Sequence, residues 1–137
     1  MRIGLAVTAT VAAAIVLAPP ALADSYSFQS PSGNIACMLG ADGAACDIRD
    51  YTYQPPPPPL CAQHISWGSR FVLEPGAAGK IVCHGDTLRL EGEPTLGYGQ
   101  TASAGTLTCS SEAAGVRCTD SSTGHYFQVS RDSYGLG

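Results

Sequence analysis

The sequence predicts an all-β fold, a small disulfide-stapled antiparallel sandwich or barrel of hairpins, and three observations carry that prediction. Sixteen glycines and ten prolines are scattered over 137 residues, and past the N-terminal segment no window of about 12 residues sets apolar side chains at helical spacing. Short runs of alternating apolar and polar residues lie between turn-forming residues instead. Six cysteines form an even number, as expected where bridges reinforce the limited core of a small exported domain.

The chain opens MRIGLAVTATVAAAIVLAPPALA. Arg2, an apolar stretch from Ile3 to about Leu17 and the ending Ala21-Leu22-Ala23 read as a secretory signal, because the stretch is shorter than the roughly 20 residues a membrane-spanning helix needs. Cleavage is expected after Ala23, dividing the chain into a leader at residues 1–23 and a single disulfide-rich β domain at residues 24–137. No cysteine at that junction can take a lipid. The product is therefore expected to be secreted, extracellular or associated with the cell envelope, with no stable membrane insertion. The formal net charge is −4, and Lys80 is the one lysine. Nucleic acid and anionic lipid are held mainly by clustered Lys and Arg, so neither is expected as a partner.

The first hairpin lies around the first two cysteines. Ile35, Cys37 and Leu39 point one way, Ala41-Asp42-Gly43 turns, and Cys46 and Ile48 resume the pattern. A second copy leads in with Leu107 and Cys109, turns over Glu112 to Gly115, and leads out with Val116 and Cys118. A further strand, Tyr126 to Ser130, follows the turn Asp120 to Gly124. Between the copies, Phe71 to Leu73, Lys80 to Cys83 and Thr87 to Leu90 read as short strands, with Glu74-Pro75-Gly76 and His84-Gly85-Asp86 as turns. The run Pro55 to Pro59 has no backbone donors and a fixed φ, so it forms a polyproline II rod. It reads either as a ligand for a proline-recognising groove or, more plainly, as a stiff crossover to the next layer of the fold.

Hairpin geometry selects among the 15 pairings that six cysteines allow. Cys37 and Cys46 are equidistant from their turn and so face each other across it, as do Cys109 and Cys118, at a separation that a disulfide accepts. By elimination, Cys61 pairs with Cys83. Zinc would require close C-x-x-C pairs or a suitably spaced histidine, and neither occurs. No metal and no cofactor are expected.

Catalysis would require a nucleophile, a base and an orienting group in contact. His64, His84 and His125 are the possible bases, but no G-x-S-x-G elbow is present, and His84 in CHGD and His125 in STGHYF read as turn residues. Asp86 reads as closing its turn. Glu91 and Glu93 could supply paired carboxylates for glycoside chemistry, although EGEP reads as a solvated loop. Tyr51, Tyr53, Trp67 and Tyr98 could form an aromatic platform for a sugar or a peptide, or could simply fill a small β core, and His125 is a further candidate for binding.

The motifs F-x-S-P-S-G-N-I-x-C (Phe28 to Cys37), C-D-I-R (Cys46 to Arg49), the proline run, W-G (Trp67, Gly68), C-x-G-D-T (Cys83 to Thr87), Y-G (Tyr98, Gly99), G-V-x-C (Gly115 to Cys118) and G-H-x-F-x-x-S-R-x-x-Y (Gly124 to Tyr134) follow in order. The chain so resembles a family of small exported proteins of actinobacteria, mycobacteria among them, a family of unknown function. The resemblance implies export, β structure and paired cysteines, and lends no catalytic residue. Two departures stand out: L-G-Y-G at Leu96 to Gly99 where L-P-Y-G is usual, and Tyr126 where glycine is common.

The function expected is therefore that of a secreted, monomeric, non-enzymatic binding or inhibitor-like module. Its partner would be an unknown protein or a component of the envelope. The alternative is a secreted hydrolase using His125 or His84 with a serine or an aspartate.

Overall fold

The computed structural model describes residues 25–137. The expected leader and its cleavage after Ala23 lie outside the described residues. Ten strands follow in order: β1 (Tyr26–Gln29), β2 (Ile35–Gly40), β3 (Gly43–Ile48), β4 (Ser66–Leu73), β5 (Lys80–His84), β6 (Thr101–Ala104), β7 (Leu107–Glu112), β8 (Gly115–Asp120), β9 (Tyr126–Val129) and β10 (Tyr134–Leu136). Each half of the chain is an up-and-down meander. The first five strands form one antiparallel sheet in the order β1-β2-β3-β4-β5, and the last five form another in the order β10-β9-β8-β7-β6. Two open sheets settle the architecture as a sandwich and not a closed barrel.

The hairpin registers follow from side-chain alternation, since a shift by one residue would turn every apolar side chain out to water. Cys37 pairs with Cys46, and Leu39 with Ala44, across a two-residue turn at Ala41-Asp42. Cys109 pairs with Cys118 across Ala113-Ala114. Both pairs are disulfide-bonded with Cα separations of 4.1 and 4.0 Å, and all four cysteines are buried. The row continues outward in each sheet: Phe28, Cys37, Cys46, Phe71 and Ile81 in the first, Ala102, Cys109, Cys118, Phe127 and Leu136 in the second. Phe71, Phe127, Leu39, Leu73, Leu107, Val116 and Val129 are fully buried between the sheets.

Three expectations are corrected here. Thr87 to Leu90 is not a strand; the Leu88 N–H donates to the Asp47 carboxylate at 2.9 Å, and the Arg89 guanidinium donates to the Gly33 and Asn34 carbonyls. Side chains thus fix the segment where a ladder would have done so. Glu93 is not solvated but 8% exposed. Its segment runs beside β1, with Thr95 bridging Gln29 in parallel, and neither carboxylate oxygen has a hydrogen-bond partner among the described residues. Finally, the proline run is no crossover between layers. It lies in the connection Arg49 to Ile65, which leaves β3 and returns as β4, its immediate neighbour in the same sheet.

Candidate functional site

Joining β3 to β4 requires only a tight turn, because antiparallel neighbours close with two residues. The connection Arg49 to Ile65 is instead longer than the 12–15 residues or so that structureless links seldom exceed unless they are functional or disordered. This connection is anchored. The Thr52 N–H donates to the Arg131 carbonyl at 2.7 Å, Tyr53 is buried with its hydroxyl on the Gly68 carbonyl at 2.7 Å, and the Trp67 indole N–H donates to the Pro56 carbonyl at 2.9 Å. Cys61, bonded to Cys83 of β5, fixes the far end. Between these anchors Pro57, Pro58, Pro59 and Leu60 are exposed. Leu60 has a relative exposure of 104%, on a segment held at both ends.

The aromatic residues form the seat of this connection and not an open platform. Tyr51 and Tyr53 stack with ring centroids 4.3 Å apart, and Tyr53 meets Phe71 and Tyr134 edge-on. Trp67 is half-buried against the core. Burial, with the neighbouring Tyr51 and Tyr134 phenols adding to it, pushes the Tyr53 hydroxyl far above its ordinary value. Tyr98 does not join them; it stands 59% exposed beside a cavity of about 320 Å³ shared with Asn34, Asp50 and Arg131.

The connection also shapes β4. Gly68 has φ +101°, and a Cβ there would stand 2.9 Å from Pro55, so only glycine fits under the rod. A register irregularity lies between Ser66 and Arg70 against β5. Ser69, within it, and Arg70, at its end, both meet groups of one cluster. The Ser69 hydroxyl lies 2.7 Å from His84 Nε2, and His84 Nδ1 lies 2.7 Å from the Asp86 carbonyl oxygen. Arg70 donates to both carboxylate oxygens of Asp47 at 2.6 and 2.8 Å and to Asp86 at 2.7 Å. That guanidinium holds the Asp86 carboxyl below the usual range. His84 is therefore the last residue of β5 and not part of the turn, and it is hydrogen-bonded on both ring nitrogens.

His125 remains alone: among the described residues its ring bonds to no serine or carboxylate, and only its backbone closes the turn with Thr123 and Asp120. Glu91 is exposed while Glu93 is buried, so the two do not face a common site. Among the described residues no three His, Cys, Asp or Glu side chains converge as metal ligands, and no helix is long and apolar enough to cross a membrane. Three disulfides with no free cysteine are compatible with an extracellular protein.

A family model described as a family of unknown function, DUF6636, matches residues 7–136. No curated protein and no solved structure matches the chain. The chain belongs to that family.

Proposed function

We propose that this member of a family of unknown function is a secreted binding module that docks a protein partner, in the extracellular space or at the envelope, through the connection Arg49 to Ile65. The full exposure of Leu60 at the end of an anchored proline run is the observation that carries it. Proline fixes φ before binding, and the Trp67, Tyr53 and Cys61 anchors fix the rest, so docking costs less ordering entropy than a free loop would. An extended rod ending in an exposed apolar side chain suits a groove or cleft with an apolar pocket. Grooves that recognise proline-rich segments exploit the same preformed geometry.

The test compares capture of envelope and culture-fluid proteins by three oxidised proteins: the wild type, Leu60→Asp and the surface variant Glu74→Gln. Full burial of a leucine contributes about 1.5–3 kcal/mol, so Leu60→Asp is expected to weaken capture of a partner at least roughly tenfold, and Glu74→Gln to leave it unchanged. A partner held equally by Leu60→Asp would rule out this loop as the docking element.

A further inference from the structure

A separate site lies on β4 and β5, in the Ser69, His84 and Asp86 cluster. We propose that Ser69 is a nucleophile activated by His84, and that the cavity beside it admits a small ester carrying an anionic group, which the pair hydrolyses. The hydrogen bonds decide the tautomer of the neutral ring. A carbonyl oxygen only accepts, so at 2.7 Å from the Asp86 carbonyl Nδ1 carries the imidazole proton. In the neutral ring Nε2 then has a free lone pair, and at 2.7 Å it accepts the Ser69 O–H. This is the tautomer that general-base activation of a serine requires, with a backbone carbonyl where a carboxylate more often orients the ring. The carbonyl is itself held, because Arg70 donates to both the side chain and the backbone of Asp86.

The cavity measures about 210 Å³ and includes Asp47, Ile48, Arg49, Ser69, His84 and Arg89 in its lining. That volume suits an acyl group of a few carbons. Its charge is uneven. Asp47 is occupied by Arg70 and the Leu88 N–H, whereas Arg89 is bonded only to carbonyls and Arg49 has no ion pair among the described residues. Two guanidinium groups without carboxylate partners favour an anionic substrate and the oxyanion of a tetrahedral intermediate.

In the reaction, Ser69 Oγ bonds to the ester carbonyl carbon as its proton passes to His84 Nε2. The ester C–O bond breaks and that proton leaves with the alcohol. Water then adds to the acyl-serine, giving a proton to Nε2; the acyl–Oγ bond breaks, the acid departs and Ser69 recovers its proton. Ester and water become acid and alcohol, and nothing else is consumed.

Hydrolysis of p-nitrophenyl hemisuccinate and p-nitrophenyl acetate by the oxidised protein tests this, together with labelling by a fluorophosphonate read out by peptide mass. The label is expected on Ser69, and the hemisuccinate is expected to be the better substrate. Ser69→Ala and His84→Gln are each expected to abolish the label and to cut the rate at least about 100-fold, with circular dichroism unchanged. Arg49→Gln is expected to reduce the preference for the hemisuccinate while retaining labelling. Absence of label on Ser69, or hydrolysis by folded Ser69→Ala or His84→Gln at the wild-type rate, would overturn the proposal.

Discussion

Phe71 and Phe127 occupy corresponding places in the two sheets. Each lies opposite the second cysteine of a stapled hairpin, Phe71 opposite Cys46 and Phe127 opposite Cys118, and their rings meet across the core with centroids 6.0 Å apart. The two meanders thus bring the same row of the fold together from opposite sides. Either ring cut to alanine leaves a cavity in a core with little else to close it.

Phe71→Ala and Phe127→Ala are each expected to cost about 3–5 kcal/mol. In the double variant the two costs should fall short of additivity by roughly 0.5–1.5 kcal/mol, since the first truncation already removes the contact between the rings. Urea unfolding of the four proteins measures both quantities.

Much of this core was legible in the sequence, and the reason is local. Around Cys37 and Cys46, and again around Cys109 and Cys118, strict alternation and a short turn leave one register that buries the apolar face. β1, β6 and β10 carry no such signal: TASA and YGL are small or glycine-bearing, and their neighbours in the sheets define them. Thr87 to Leu90 alternates like a strand but has its Leu88 donor taken by Asp47, a contact 41 positions away. The pairing of Ser69 with His84 depends on the irregularity next to Gly68, which spacing alone does not reveal. Trp67 and Tyr53 were visible as aromatics, while their role as anchors for the prolines depends on the chain returning to the sheet it left.

Asp120 links the two halves of the fold. Its buried carboxylate accepts the N–H of Gly76, in the turn between β4 and β5, at 2.8 Å, and the hydroxyl and N–H of Ser122. These bonds, the Gly76 N–H foremost, hold its carboxyl far below the ordinary value of about 3.8. A carboxyl depressed in the folded state adds stability above its unfolded value, and loses it as the pH falls from there through the folded value. Wild-type stability is therefore expected to decline below about pH 4 more steeply than that of Asp120→Asn. Thermal unfolding from pH 7 to pH 2 compares the slopes.

Glu93 is buried without a hydrogen-bond partner for its carboxylate among the described residues. An uncompensated buried polar group costs about 1–3 kcal/mol. Glu93→Met, which removes the unpartnered polar group and keeps a side chain of similar length, is expected to raise the unfolding free energy at pH 7 by about 1 kcal/mol or more. Denaturant titration of the two proteins decides this.

The bridge Cys61–Cys83 serves the loop more than the core. Its cysteines are half-buried, whereas the hairpin cysteines are fully buried. Cys61→Ser with Cys83→Ser is expected to leave both sheets intact and to open the chain between Pro57 and Ile65 to proteolysis. Cys109→Ser with Cys118→Ser is expected to destabilise the whole molecule by about 2–5 kcal/mol. Limited proteolysis with mass mapping, alongside thermal unfolding, separates the two effects.

The anchors at Trp67 and Cys61 hold Leu60 out to solvent in a preformed loop. Backbone 15N relaxation at Leu60, Cys61 and Ala62 tests this most directly. In the oxidised protein, order parameters of about 0.85, matching those of β4, are expected, falling below about 0.6 when Cys61 and Cys83 are replaced by serine. Values below about 0.6 in the oxidised wild type would mean that the loop is mobile despite its anchors and that Leu60 is not presented in a preformed loop.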